Sequence, residues 1–88
     1  MKRVNLATYK FARLSELKER RQRLREICAQ LQLRGTILLA EEGINLFVAG
    51  VRARVEELLA HLEADPEIGP LDPKWSPAEQ EPFRRMLV

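Results

Sequence analysis

The residues best suited to chemistry in this sequence are cations. Lys18, Arg21 and Arg25 recur at helical spacing, and no acid falls between them on that stripe. A row of this kind on a rigid helix meets phosphate oxygens, and phosphate contact dominates nucleic-acid affinity. Arg84 and Arg85 add a second basic step near the end of the chain. A charged stripe also suits a plain solvated helix face, so residue types alone leave RNA contact and solvation both open. Glu41 and Glu42 are adjacent carboxylates, a pairing that can serve acid–base work or hold a divalent cation. Neighbours on a strand point in opposite directions, however, and a solvated turn accounts for the pair equally. The following Gly43-Ile44-Asn45 supplies a single glycine, too few for a phosphate-cradling loop. The one histidine, His61, stands between Leu59 and Leu62, and the one cysteine, Cys28, lies in an apolar stripe. A single cysteine excludes an internal disulfide and any multi-cysteine zinc or iron–sulfur site. No serine–histidine–aspartate set can be assembled. The sequence therefore predicts no catalytic residue, no metal ligand and no cofactor site.

The elements that must carry these residues follow from periodicity. Alternation predicts a strand over 4–12, with Ala7, Tyr9 and Phe11 facing the core. A helix is expected over 15–31, capped by Ser15, with Leu17, Leu24, Ile27, Cys28 and Leu31 on one face. Glu16 and Arg20 stand at i, i+4, the favourable order for an ion pair on the helix surface. Two branched apolar runs, 36–40 and 44–49, flank Glu41-Glu42-Gly43, and so short a connection dictates an antiparallel hairpin. Ile44, Leu46 and Val48 fall on one face of its second strand, with Asn45, Phe47 and Ala49 on the other. Val51, Val55, Leu58, Leu59 and Leu62 mark a helix over 51–64, which Asp65-Pro66 ends. A proline-rich stretch follows, in which 71–76 suits a short edge strand, and 83–88 reads as a strand just begun.

Strand, helix, strand, strand, helix, strand is the order of a ferredoxin-like α+β sandwich. It predicts a four-stranded antiparallel sheet with two helices on one face and the other face open. Phe47 and Trp75 are the aromatics expected on that open face. The 88 residues suffice for one domain spanning 1–88. An apolar content of 45%, a charged content of 32% and a net charge of +2 describe an ordinary folded chain rather than a disordered or strongly basic one. No apolar run approaches the ~20 residues that cross a bilayer. The opening Met1-Lys2-Arg3 leads into a stretch too short and polar for a secretory signal, so a cytoplasmic address without membrane contact is expected. The last strand stops at its apolar end, which suggests a domain excised from a longer protein.

The run Arg34-Gly35-Thr36-Ile37-Leu38-Leu39-Ala40-Glu41-Glu42-Gly43-Ile44-Asn45 resembles a specific family. It is similar to the N-terminal, acylphosphatase-like domain of the rhodanese-domain-containing tRNA uridine hydroxylases, proteins formerly described as rhodanese-related sulfurtransferases. The likeness resumes at Val48-Ala49-Gly50. It extends to Ala7-Thr8-Tyr9-Lys10-Phe11 and to Glu81-Pro82-Phe83-Arg84-Arg85-Met86. Leu46-Phe47 stands where the family has Gly-Thr, and Leu87 where it usually has lysine. Cys28 does not match the rhodanese cysteine and inherits none of its chemistry. Nor is the acylphosphatase phosphate loop present, since Ala12-Arg13-Leu14 follows the first strand.

The resemblance implies a full-length oxidoreductase that hydroxylates the wobble uridine of tRNA with molecular oxygen. It implies that these residues form a non-catalytic accessory domain that positions tRNA for a C-terminal rhodanese domain. The residues expected to contact RNA are Lys18, Arg21, Arg25, Arg84 and Arg85. Glu41, Glu42, Gly43, Ile44 and Asn45 carry the family motif, with a structural role in the hairpin. Two other readings stand beside this one. The open face, through Phe47, docks on the rhodanese domain and touches no RNA. Or the chain is a free-standing ferredoxin-like binding domain.

Overall fold

The computed structural model describes residues 2–78 and 86–88. Its elements are β1 (Arg3–Phe11), α1 (Leu17–Gln30), β2 (Arg34–Ala40), β3 (Gly43–Val51), α2 (Arg52–Ala64), β4 (Lys74–Pro77) and β5 (Met86–Leu87). They form one mixed sheet in the order β4-β1-β3-β2-β5. The first four strands of that order pair antiparallel, as the ferredoxin-like arrangement requires. The structure adds a fifth strand to the expected four. Met86 and Leu87 lie parallel to β2, opposite Gly35 and Thr36. Both residues fall within 83–88, the run that the sequence reads as a strand just begun.

Register decides which side chains meet the helices. Leu6 pairs with Val48, and Val48 in turn with Gly35; Ile37 pairs with Leu46. Val4, Leu6, Ile37, Ile44, Leu46 and Val48 thus share one face. All are buried in the same cluster as Leu24 and Cys28 of α1 and Val55, Leu58 and Leu62 of α2. Both helices therefore cover one face, α1 against β2 and β5 and α2 against β1 and β3. Each fully buried aliphatic side chain contributes about 1.5–3 kcal/mol before chain entropy is set against it.

In β1 the structure reverses the expected facing. Val4, Leu6 and Thr8 are buried, whereas Tyr9 and Phe11 lie on the open face. The strand carries two interleaved apolar sets, and a shift of one residue exchanges the faces. The helices cover the even-numbered set, because that set is in register with Ile44, Leu46 and Val48. Trp75 is displaced in the opposite sense. It pairs with Leu6, so it faces the helix side, where the Arg52 guanidinium lies 4.5 Å from its ring centre.

Helix α1 begins without the expected serine cap. Glu16 holds the cap position at φ 50°, and no side chain caps the first turn. Ser15 is engaged elsewhere: its N–H and its hydroxyl both donate to the Glu67 carboxylate, at 2.9 and 2.8 Å. Helix α2 ends at Asp65, as Pro66 demands.

Candidate functional site

The outer surface of α1 carries the basic stripe. Leu24 and Cys28 turn inward, while Lys18, Arg21 and Arg25 are exposed. At 1.5 Å of rise per residue, their backbone positions span about 10 Å along the axis, within reach of neighbouring phosphates on one strand. Arg23 is exposed on the same helix, and Gln22 donates to Glu26 at 3.2 Å. The other two expected cations, Arg84 and Arg85, lie outside the described residues.

Arg20 is the residue that sequence reasoning misplaced. It is buried, and it pairs with Asp65 and Glu67 rather than with Glu16. Its Nε also donates to the Ser15 carbonyl at 3.3 Å. The signal was present, for Arg20 lies four and eight residues before Leu24 and Cys28, on the buried face. Asp65 in turn accepts from the Glu67 N–H at 3.0 Å, and its carbonyl accepts from Ile68 and Gly69. This network ties the turn after α2 to α1. The Glu67 carboxyl is held below its ordinary range, chiefly by the Ser15 N–H, then by the Ser15 hydroxyl and the charge of Arg20. Both acids are thus committed to structure, and no group of three metal-ligating side chains occurs among the described residues.

The hairpin motif is a brace. The Glu41 and Glu42 side chains are exposed, while their carbonyls accept from Leu14 and Ala12 at 3.1 and 2.9 Å. Ile44 joins the core. A methyl group on Gly43 would stand 2.1 Å from the Lys10 carbonyl oxygen, and one on Gly35 at 2.1 Å from that of Phe47. Those two glycines let the sheet close. The same contacts exclude a phosphate cradle after β1. Amides of Ala12, Leu14 and Ser15 already serve protein acceptors, and Glu16, Glu41 and Glu42 line the adjoining hollow against Arg13 alone.

The open face holds the large exposed apolar side chains: Tyr9 at 67%, Phe11 at 82%, Leu38 at 60%, Phe47 at 40% and Leu87 at 50%. Tyr9 and Phe11 meet edge to face, with ring centres 6.2 Å apart. Asn45 lies between Tyr9 and Leu38 in register, and Gly43 between Phe11 and Ala40. A groove of about 280 Å³ runs over this corner.

Cys28 is buried on α1. His61 is exposed on α2. Burial pushes the Cys28 thiol up to about 11, so it stays protonated at neutral pH. We expect no labelling of Cys28 by iodoacetamide at pH 8 in native buffer, and full labelling in urea; rapid native labelling contradicts the packing described.

The model of the UPF0176 acylphosphatase like domain matches residues 3–88. The chain belongs to that family. UPF0176 relatives extend the comparison. A protein of Cupriavidus metallidurans named tRNA uridine(34) hydroxylase is 47% identical over 88 residues, all of this chain and 31% of that protein. One of the same name from Thiobacillus denitrificans is 48% identical over 85 residues, covering 97% of this chain and 34% of that protein. The chain thus spans about a third of the length of these relatives, their N-terminal part. Among solved structures, the acylphosphatase from Bacillus subtilis superposes with TM-score 0.71 at 11% identity, covering 100% of this chain and 98% of that one. The dark state of the BLUF protein BlrB gives 0.77 at 20% identity, covering 98% and 72%. At such identities the likeness establishes the α+β ferredoxin-like fold of this UPF0176 domain. No helix among the described residues is long and apolar enough to cross a membrane.

Proposed function

We propose that this chain is the accessory domain of a longer cytoplasmic enzyme that modifies tRNA, and that it positions the tRNA for a catalytic neighbour. The observation that carries this reading is the end-to-end likeness to the N-terminal third of proteins named tRNA uridine(34) hydroxylase. Hydroxylation of the wobble uridine then belongs to the remainder of such a protein, its rhodanese domain included. The α1 stripe supplies what an accessory domain needs: cations on a rigid face, which fix register on phosphates without reading sequence.

Three phosphate contacts have a measurable signature. Each lowers log K by about 0.7–0.9 per decade of salt, so three weaken binding about 20–40-fold between 50 and 200 mM. Titrating the 88-residue chain with an anticodon stem-loop at those two concentrations tests this. Combining Lys18→Glu with Arg21→Glu should weaken low-salt binding at least tenfold and flatten the salt slope by about two contacts. Absence of binding at low salt overturns the reading; binding indifferent to the double substitution removes the stripe from it.

A further inference from the structure

We propose that the groove on the open face, at the corner of Tyr9, Phe11, Leu38 and Asn45, holds one unpaired RNA base. The proposal rests on the reading that RNA is the partner and goes beyond it by naming a second surface and the chemistry it recognises.

Four observations converge. First, Tyr9 and Leu38 both pair with Asn45, one from each side. At about 4.8 Å between strands the two walls stand about 10 Å apart, room for one flat ring lying against the Tyr9 face. Second, Phe11 packs edge-on to Tyr9 and fixes the orientation of that face. Exposed aromatics on a sheet are how single-stranded bases are stacked, since every base offers a π surface. Third, the middle of the floor is polar. Asn45 is exposed there, and its amide offers two donors and one acceptor. An apolar protein side chain laid over it would strand those groups, whereas the edge of a base satisfies them. Fourth, charge on this face suits a polyanion. Beside the groove its described strand positions carry Lys74 and no carboxylate. Lys74 is exposed and pairs with Ala7, one row from Tyr9, which places a cation about 7–8 Å diagonally from the stacking residue. Glu42 borders the groove at the hairpin tip. The RNA backbone accordingly leaves toward Lys74.

This groove and the α1 stripe lie on opposite sides of the sheet, so their contributions are separable. The test is fluorescence anisotropy of the 88-residue chain with three probes: labelled single-stranded octamers of oligouridine and of oligocytidine, and a blunt RNA duplex. Tyr9→Ala should weaken octamer binding at least tenfold and leave duplex binding unchanged. Tyr9→Phe should stay within threefold of the parent. Asn45→Ala should lower octamer affinity several-fold and reduce the difference between oligouridine and oligocytidine. Both side chains are exposed, so circular dichroism should show an unaltered fold. Octamer binding indifferent to Tyr9→Ala and Asn45→Ala overturns the groove while leaving the positioning role intact. So does a duplex that binds where the octamer does not. Failure of every RNA to bind overturns both. Sedimentation showing that Tyr9→Ala abolishes a dimer, with RNA affinity unmoved, assigns the face to a second copy and likewise ends the proposal.

Discussion

Gly35→Ala is expected to destabilise the domain by about 3–5 kcal/mol, a large share of the stability an 88-residue chain commands. The added methyl would stand 2.1 Å from the Phe47 carbonyl oxygen and 2.8 Å from the Val48 Cα. Both are backbone atoms of the paired strand, so neither can swing aside. The backbone at Gly35 has φ 129°, a conformation that L side chains rarely adopt. Relief requires β2 and β3 to separate at the middle of the sheet, or a strained residue to persist at about 1–3 kcal/mol. Gly43→Ala meets the same obstacle on the other side, with its methyl 2.1 Å from the Lys10 carbonyl oxygen. A urea titration reads the effect: with a slope of about 1–3 kcal/mol/M, the midpoint falls by about 2 M. A change under about 0.5 M would show that the central strands do not approach as described.

The Arg20 network gives the second large effect, and its size depends on which partner is removed. Asp65→Ala is expected to cost about 2–4 kcal/mol. It leaves a buried guanidinium short of a partner and removes the acceptor for the Glu67 amide. Arg20→Met should cost less, under about 1.5 kcal/mol, because the replacement fills the site while the freed acids lie close enough to water to hydrate. Were Arg20→Met the costlier change, the network would be a source of net stability rather than of geometry. The pH dependence follows from Glu67. Its carboxyl is lowered from an ordinary 4.5 in the folded chain, so its stabilising contribution is full above that value. It is lost as pH falls through the lower folded value. Glu67→Gln should therefore flatten the acid limb of thermal stability below about pH 4.5 and leave neutral stability less affected than Asp65→Ala does.

What could be read from the sequence depended on how many explanations each pattern allowed. The hairpin was legible because two branched runs three residues apart admit one geometry. Helix α2 was legible because its five apolar positions repeat without a miss and Asp65-Pro66 ends it. Strand β1 was ambiguous: Val4 and Leu6 compete with Tyr9 and Phe11 for the core, and only register with β3 decides between them. That one ambiguity moved two aromatics onto the open face and, with Trp75 turned inward, redrew the surface on offer to a ligand. Arg20 was misread for a related reason. The sequence offers Glu16 as a partner one turn earlier, whereas Asp65 and Glu67 reach Arg20 only through the tertiary fold. Ser15 was lost as a cap because the Glu67 carboxylate engages the same hydroxyl. The motif from Arg34 to Asn45 was conspicuous by residue type. Its meaning emerges from the structure: the glycines permit close strands, the tip carbonyls hold the β1–α1 connection, and Asn45 faces out.

A domain that meets RNA through surfaces doing no chemistry of their own should reveal those surfaces on titration. Two-dimensional amide spectra of the 88-residue chain, titrated with an anticodon stem-loop at 50 mM salt, test that most directly. The predicted result is a set of progressive shifts over 18–25 of α1 that fade at 200 mM salt, with the buried amides of Leu6, Ile37 and Val48 unmoved. Spectra that stay superimposable throughout the titration, or shifts in which 18–25 take no part, would contradict it.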